Sequence, residues 1–465
     1  MKVLAILIPF ILLSMKINAQ AFCFYDPNTG PLYHNGSPGA IYDITYGDFN
    51  SDGHLDVVTA NSIASSISFI PGYGNGVLGT PDTTIVPGTL FCLTSGDFNG
   101  DTILDVATAN HGTTFVLFGN GDGTFQPYNS YPSGVGPSRI YAKDINNDTI
   151  LDLIESCGDG LFILIGQSGG TFLSATQYLT GLSSIDLTIA YIDNDTILDI
   201  VSTTHITNVN SELSFLKGNG DGTFASPISI FSMTYPDNYI AGIRSEDADG
   251  DGKIDLIVAN SNVSIHRVEV YFGNGNGTVN TPVFYTTSYN PFYLFLADLD
   301  NDLINDVVVE EINGFTVLKG NSNGTFNVYQ HFSAMTTPNG LAIEDFNEDG
   351  KMDVIIPSAY FGSPQIAVNL NCNITGIDNI LQSANTSINI FPNPFSTQTT
   401  LQTDNLLKNA TLTVYNSFGQ IIKQIKNISG QTITLHSDNL PLGLYFVRLN
   451  EENKTIAIGK LVITD

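Results

Sequence analysis

The sequence predicts an all-β protein: a seven-bladed β-propeller of four-stranded blades, followed by a small β-sandwich domain. Three observations carry this prediction. An acidic nine-residue loop recurs seven times between residues 48 and 353. A glycine-rich turn keeps step with it. No stretch of useful length shows helical periodicity. A period near 50 residues marks a propeller or solenoid. A β-helix is the competing solenoid, but its repeats are usually much shorter.

The first loop shows the pattern in full. Asp48-Phe49-Asn50-Ser51-Asp52-Gly53-His54-Leu55-Asp56 puts acceptor side chains at positions 1, 3, 5 and 9 and a glycine at 6. Short carboxylates and amides two residues apart can converge on one hard cation, and the carbonyl of position 7, here His54, adds an oxygen. That all-oxygen set suits Ca²⁺. The second loop offers Asp97, Asn99, Asp101, Ile103 and Asp105, and the third Asp144, Asn146, Asp148, Ile150 and Asp152. The fourth has only Asp193, Asp195, Ile197 and Asp199, because Tyr191 stands at its first position. The fifth supplies Asp247, Asp249, Asp251, Lys253 and Asp255; the sixth, Asp298, Asp300, Asp302, Ile304 and Asp306; the seventh, Asp345, Asn347, Asp349, Lys351 and Asp353. The isoleucines, lysines and His54 enter through their backbone carbonyls. Up to seven Ca²⁺ sites are expected, with the Tyr191 loop weak or empty.

An EF-hand fits worse. Its bidentate Glu at position 12 is replaced by Thr59, Val258 and Ile356, all within apolar runs. Mg²⁺ tolerates such flexible, ligand-rich loops poorly. Asp and Asn also favour turns for their own reasons. That explains one loop but not one register repeated seven times. The ligand positions hold 23 of the chain's 45 acidic residues. So many carboxylates packed without cations would repel one another.

The glycine turns read Gly119-Asn120-Gly121-Asp122-Gly123-Thr124-Phe125 and Gly218-Asn219-Gly220-Asp221-Gly222-Thr223-Phe224, with looser copies at 166–172, 273–278 and 320–326. Asn-Gly and Asp-Gly between apolar runs signal tight hairpins, because these residues accept positive φ. Each repeat therefore reads as four strands. In the second, Leu90–Ser95, Val106–Ala109, Thr114–Phe118 and Phe125–Tyr131 take these roles. Antiparallel alternation puts the acidic loops and glycine turns on one face. The connections on the other face vary, with Tyr33-His34-Asn35, Tyr131-Pro132-Ser133, 235–239 and 289–293 rich in Tyr and Asn. Loops on a rigid scaffold commonly carry binding.

The stretch Phe22–Tyr33 resembles an outermost strand and is expected to complete the last blade. Cys23 and Cys372 would then meet at the seam, where a disulfide would close the ring. Cys92 and Cys157 lie in adjacent blades and could pair or remain buried thiols. No CxxC occurs, which excludes zinc ribbons and thioredoxin-type motifs.

Residues 1–19 read as a signal peptide: Met1-Lys2, the apolar run Val3–Leu13 and a cleavage site at Ile17-Asn18-Ala19. The run is short for a transmembrane helix, and no other long apolar segment follows. The mature chain is expected to have no transmembrane segment and to be secreted or attached to the outer cell surface. The formal net charge is -29, and only eight basic residues lie between residues 20 and 374, unclustered. Nucleic acid and anionic membranes are thus poor candidate partners. After a polar linker at 375–387, residues 388–465 form a separate unit of short alternating strands without acidic loops, expected to be the sandwich.

Two catalytic-looking strings compete with a binding role. Gly166-Gln167-Ser168-Gly169-Gly170 fits G-x-S-x-G, and Gly74-Asn75-Gly76-Val77-Leu78-Gly79 fits G-x-G-x-x-G. Both motifs need a following helix, and here both join strands. They are read as turns, and no catalytic residue is assigned.

The repeated D-x-[DN]-x-D-x-x-x-D loops resemble the FG-GAP/VCBS repeats of integrin α-subunit propellers and many bacterial surface proteins, over roughly residues 22–374. The resemblance implies Ca²⁺ in each loop between the first and second strands. It does not imply one ligand, since relatives include adhesion receptors, lectins and polysaccharide lyases. Residues 388–465 resemble the C-terminal sorting domain of the type IX secretion system. Phe391-Pro392-Asn393-Pro394-Phe395, Gly419-Gln420, Leu440–Tyr445 and Lys460-Leu461-Val462 carry that resemblance. It implies a Bacteroidota-type bacterium, export through the type IX machinery, and release or attachment to surface lipopolysaccharide. The expected function is a calcium-binding adhesion or binding module for carbohydrate or another surface macromolecule. The alternative is a calcium-dependent polysaccharide lyase or hydrolase.

Overall fold

The structure is a computed structural model that describes residues 24, 32–34, 40–206, 210–234, 239–262, 265–333, 340–357, 365–371, 389–416, 421–437, 440, 443–451 and 454–464. The signal peptide, Cys23, Cys372 and the 375–387 linker lie outside these residues, as do Asn35, 235–238, Gly419-Gln420 and Pro441-Leu442. The chain divides into two compact units, the larger spanning Phe24–Cys372.

The larger unit holds seven four-stranded antiparallel sheets among its described residues. The second is typical: Cys92–Gly96 pairs with Asp105–Asn110, which pairs with Thr113–Leu117, which pairs with Asn129–Pro132. The innermost strand runs into the acidic loop and the second strand leaves it. The second strands are buried on both sides, as in Asp56–Asn61 and Asp105–Asn110. They read as apolar runs because each sheet is covered on both faces by its neighbours. Outer strands such as Asp82–Ile85 are largely exposed.

Adjacent sheets pack in chain order. Phe49, Val58, Leu93 and Phe115 share one core between the first and second sheets; Phe98, Val116, Ile140 and Leu153 share the next. Further cores join the third to the fourth, the fourth to the fifth and the fifth to the sixth. Ile44 and Ile70 of the first sheet pack with Phe346 and Ile355 of the last, which closes the ring. Position 2 of the acidic loop supplies the plug. Phe49 and Phe98 are 1% and 2% exposed, and their rings meet Phe125 and Phe172 in the next sheet's turn.

The last sheet takes its outer strand from the start of the chain. Leu32–His34 pairs with Gln365–Asn369, and Phe24 bridges to Asn371. The Phe24 ring packs edge-on against Phe315 and Phe332 of the sixth sheet at 5.2 and 4.9 Å. The seam is where the sequence places it, with the ladder at the end of the Phe22–Tyr33 stretch. Cys92 and Cys157 do not pair: both are free and fully buried, on separate sheets.

In the smaller unit, the expected sandwich is one five-stranded sheet. Gln398–Asn416 is a 19-residue strand that pairs along its length with Ile421–His436. Register shifts between Gln402 and Leu412 bend this pair, as bulges do. A parallel bridge from Phe395 to Ile463 then brings the sheet's far edge round to its start. The bent sheet wraps a core of Leu401, Leu412, Val414, Leu435, Val447 and Leu461. One layer thus encloses the apolar face that two layers were expected to share. Among the described residues, no helix is long and apolar enough to cross a membrane.

Candidate metal centre

The acidic loops are built by side chains that curl back onto their own backbone. Asp48 accepts from the N–H groups of Asp52 and Gly53 at 3.1 and 3.0 Å. Asp97, Asp144, Asp298 and Asp345 bind the same two N–H groups of their own loops. Asp247 accepts from Gly252 at 2.9 Å. Position 5 accepts from the N–H of position 7 in every loop, from Asp52 to Asp349. These bonds order the carboxylates before any cation arrives. They also hold positions 4 and 6 in the left-handed region, as at Asn147 (φ 62°) and Thr149 (φ 73°). A β-branched residue resists that conformation, so the Asp144 carboxylate sustains it.

Position 9 does something the sequence reading did not assign. Its side chain is at most 1% exposed in all seven loops. One oxygen of Asp105 accepts from the Phe98 N–H at 2.9 Å and the other from the Gly119 N–H at 2.9 Å. Asp56, Asp152, Asp199, Asp255, Asp306 and Asp353 repeat this bracket between position 2 and the start of the strand 3–4 turn. Burial raises the Asp56, Asp105, Asp152 and Asp255 carboxyls to about 6, against the lowering effect of their N–H partners. Asp306 and Asp353 rise to about 7 for the same reason. The sequence signal for the bracket is the glycine that opens each turn. A Cβ at Gly119 would stand 2.3 Å from the Leu104 carbonyl oxygen. At six sheets a glycine, with no Cβ to clash, brings its N–H that close, and at the last sheet the backbone of Asn371 takes the place.

The brackets leave room for a cation, because a carboxylate has about four acceptor sites. In the fifth and sixth loops, oxygens of Asp247, Asp249 and Asp255, and of Asp298, Asp300 and Asp306, lie within 4.8 Å of one another. Donors sharing one Ca²⁺ at about 2.3–2.6 Å lie no more than about 5 Å apart, so these two sets fit the ion. In the first, second, third and seventh loops the predicted side chains occupy the same loop, turned inward by the same hydrogen bonds. Two position-7 side chains also make contacts: His54 meets Glu348 of the last loop at 2.5 Å, and Lys253 meets Asp251 at 2.5 Å.

The fourth loop departs. Tyr191 is 48% exposed and cannot bind the N–H of Thr196, which does not adopt the left-handed turn. Lys217 inserts its ammonium against Asp193 and Asp195. Lys319 does the same to Asp300 and Asp302 in the sixth loop. Both lysines immediately precede the turn glycine, a position held by Phe118, Ile165 and Phe272 elsewhere.

The glycine turns lie against the preceding sheet's acidic loop. Gly123 donates to the Phe49 carbonyl at 3.1 Å and Gly76 to the Phe346 carbonyl at 3.0 Å. Both motifs therefore share a face. On the other face, Tyr239 and Tyr289 are 45% and 43% exposed, with His205 and His331 against their rings at 4.3 and 4.9 Å.

A family model described as an FG-GAP-like repeat matches residues 48–108, 97–155, 191–258 and 247–309. One described as a secretion system C-terminal sorting domain matches residues 389–464. No curated protein matches the sequence. Solved structures similar to the chain include an Agrocybe aegerita lectin, titled for specific recognition of non-reducing terminal N-acetylglucosamine. It is 18% identical, with a TM-score of 0.43, over 84% of this chain and 98% of that one. The sorting domain implies handling by the type IX secretion machinery and a location outside the cell or on its outer surface. The chain is a protein of FG-GAP-like repeats that ends in a secretion system C-terminal sorting domain.

Proposed function

We propose that the chain is a calcium-stabilised binding module that presents a rigid surface to a carbohydrate or another surface macromolecule. The observation that carries the calcium reading is the convergence of three carboxylates, at positions 1, 3 and 9, within 4.8 Å in the fifth and sixth loops. Such a set is self-repelling without a cation and complementary to one. The first, second, third and seventh loops offer oxygens at the same positions, with the amides of Asn50, Asn99, Asn146 and Asn347 in place of the third-position carboxylate. Residues 1–19 are its export signal, 20–374 the binding domain and 388–465 the domain read by the secretion machinery, which is removed or anchored at the surface.

The carbohydrate reading rests on exposed tyrosines. Tyr128, Tyr239 and Tyr289 are each more than 40% exposed on a scaffold otherwise fixed by buried strands. A tyrosine face stacks on a pyranose while its hydroxyl reaches a sugar hydroxyl. A glycan array with and without EGTA, paired with a reducing-end assay on polysaccharides, tests the proposal. Calcium-dependent binding without new reducing ends supports it. Calcium-dependent cleavage replaces it with an enzyme, and the absence of both binding and cleavage overturns it.

A further inference from the structure

We propose that the cleft between the third and fourth acidic loops is a sugar subsite with Tyr191 as its stacking platform. This inference rests on the carbohydrate reading above and places a site on the acidic-loop face rather than on the variable face.

The cleft encloses about 730 Å³ and is lined by Lys143, Asn146, Asn147, Tyr191, Ile197 and Gly220, among others. It sits where the strand 1–2 loops of two neighbouring sheets and the fourth sheet's glycine turn come together. Its aromatic wall is the residue that breaks the metal pattern. In six loops position 1 is an aspartate bound to its own loop's N–H groups; in the fourth it is a half-exposed tyrosine. Tyr191 has no place in the adjacent core, which Ile192 fills at 2% exposure. In the fourth loop, which lacks that aspartate, the Lys217 ammonium pairs with Asp193 and Asp195 from within the chain, and Ile197 still donates to Asp195. The Tyr191 ring is thereby free of any part in holding a cation.

The chemistry of the lining selects the ligand class. A pyranose has an apolar C–H face for the tyrosine ring and hydroxyls for amides and ammonium groups. Asn147 and Lys143 are exposed at the cleft and supply these. An apolar peptide would leave them unpaired, and a polyanion would meet Asp144 and a chain of net charge -29. A neutral sugar ring fits best.

The test uses the full secreted chain with calcium. An array of neutral oligosaccharides of glucose, galactose, mannose and N-acetylglucosamine identifies the strongest binder. That oligosaccharide is then titrated calorimetrically into wild type, Tyr191→Ala, Tyr191→Phe, Tyr239→Ala and Tyr289→Ala. Tyr191→Ala should weaken binding about three- to tenfold, the range of one aromatic contact. Tyr191→Phe should stay within about twofold of wild type, since it keeps the ring. Tyr239→Ala and Tyr289→Ala, which carry the variable-face reading, report that face separately, and Tyr191→Ala should lower the affinity whatever they do. Thermal melts report whether the exposed-site variants remain folded. Wild-type affinity in Tyr191→Ala, with loss in Tyr239→Ala or Tyr289→Ala, overturns the cleft while the carbohydrate reading stands. Failure of wild type to bind any glycan overturns both.

Discussion

Lys217 donates from Nζ to Oδ2 of Asp195 at 2.9 Å, and also to Asp193. The fourth acidic loop thus carries its own monovalent cation in place of the aspartate that opens the other six. Removing the ammonium and restoring the missing donor should create a site. Tyr191→Asp combined with Lys217→Ala is expected to bind one more Ca²⁺ per chain than wild type, counted by equilibrium dialysis and elemental analysis. An unchanged count would show that the loop's backbone, not its charge, bars the ion.

Lys319 makes the same contacts with Asp300 and Asp302 in the sixth loop, where Asp298 is retained. A cation entering there must displace the ammonium. Lys319→Ala should therefore tighten the weakest resolved calcium step, by about tenfold, the effect of removing one unit charge at contact distance in a partly solvated site. Calorimetric titration against wild type reads the shift.

The brackets predict a stability loss that calcium does not explain. Asp105→Ala strands the N–H groups of Phe98 and Gly119 in the interior. Two buried unsatisfied donors cost about 2–6 kcal/mol together. The loss should persist in EGTA, as read by urea unfolding. A loss confined to calcium-loaded protein would make position 9 a metal ligand alone.

Gly119→Ala should be destabilising for a steric reason, with its Cβ 2.3 Å from the Leu104 carbonyl oxygen. Gly100 has φ +82° but nothing within 4 Å of an added Cβ. Gly100→Ala should cost only the left-handed penalty of about 1–2 kcal/mol, and Gly119→Ala distinctly more. Equal losses in thermal denaturation would dismiss the close approach as the cause.

Glu155 supplies the pH dependence. It is fully buried in the third sheet, accepting from Thr114, and burial raises its carboxyl from 4.5 to about 7. The folded state therefore holds this proton more tightly than the unfolded one. Its contribution is intact below about pH 4.5 and declines as pH rises to about 7. Glu155→Gln keeps a neutral side chain throughout. Its stability relative to wild type should rise by about 3 kcal/mol across that window and level off above it. A flat difference from pH 4 to 8 would contradict the assignment.

Much of this architecture is legible in the chain. The spacing of Asp48, Asp97 and their successors fixes the repeat, and Asn-Gly-Asp-Gly at 120–123 fixes the hairpin between the third and fourth strands. The seam at Leu32–His34 is legible because an unpaired outer-strand pattern precedes the first loop. The C-terminal unit was less so. Alternation in Thr411–Tyr415 marks strands, but whether they form two sheets or one bent sheet depends on the register shifts near Leu407, which leave no mark in periodicity.

Sequence alone determined the repeat, the donor register and the odd fourth loop, because these are set by side-chain chemistry at fixed spacing. Tertiary structure decided which carboxylates are brackets, where the lysines point and what Tyr191 faces. The nine residues of a loop are contiguous, so their pattern is local. Gly119, Lys217 and the cleft beside Lys143 come from other strands and other sheets. Strand pairing within a sheet brings Gly119 and Lys217 to their carboxylates, and packing of neighbouring sheets forms the cleft; the turn glycine marks the first, while the spacing of the acidic residues records neither.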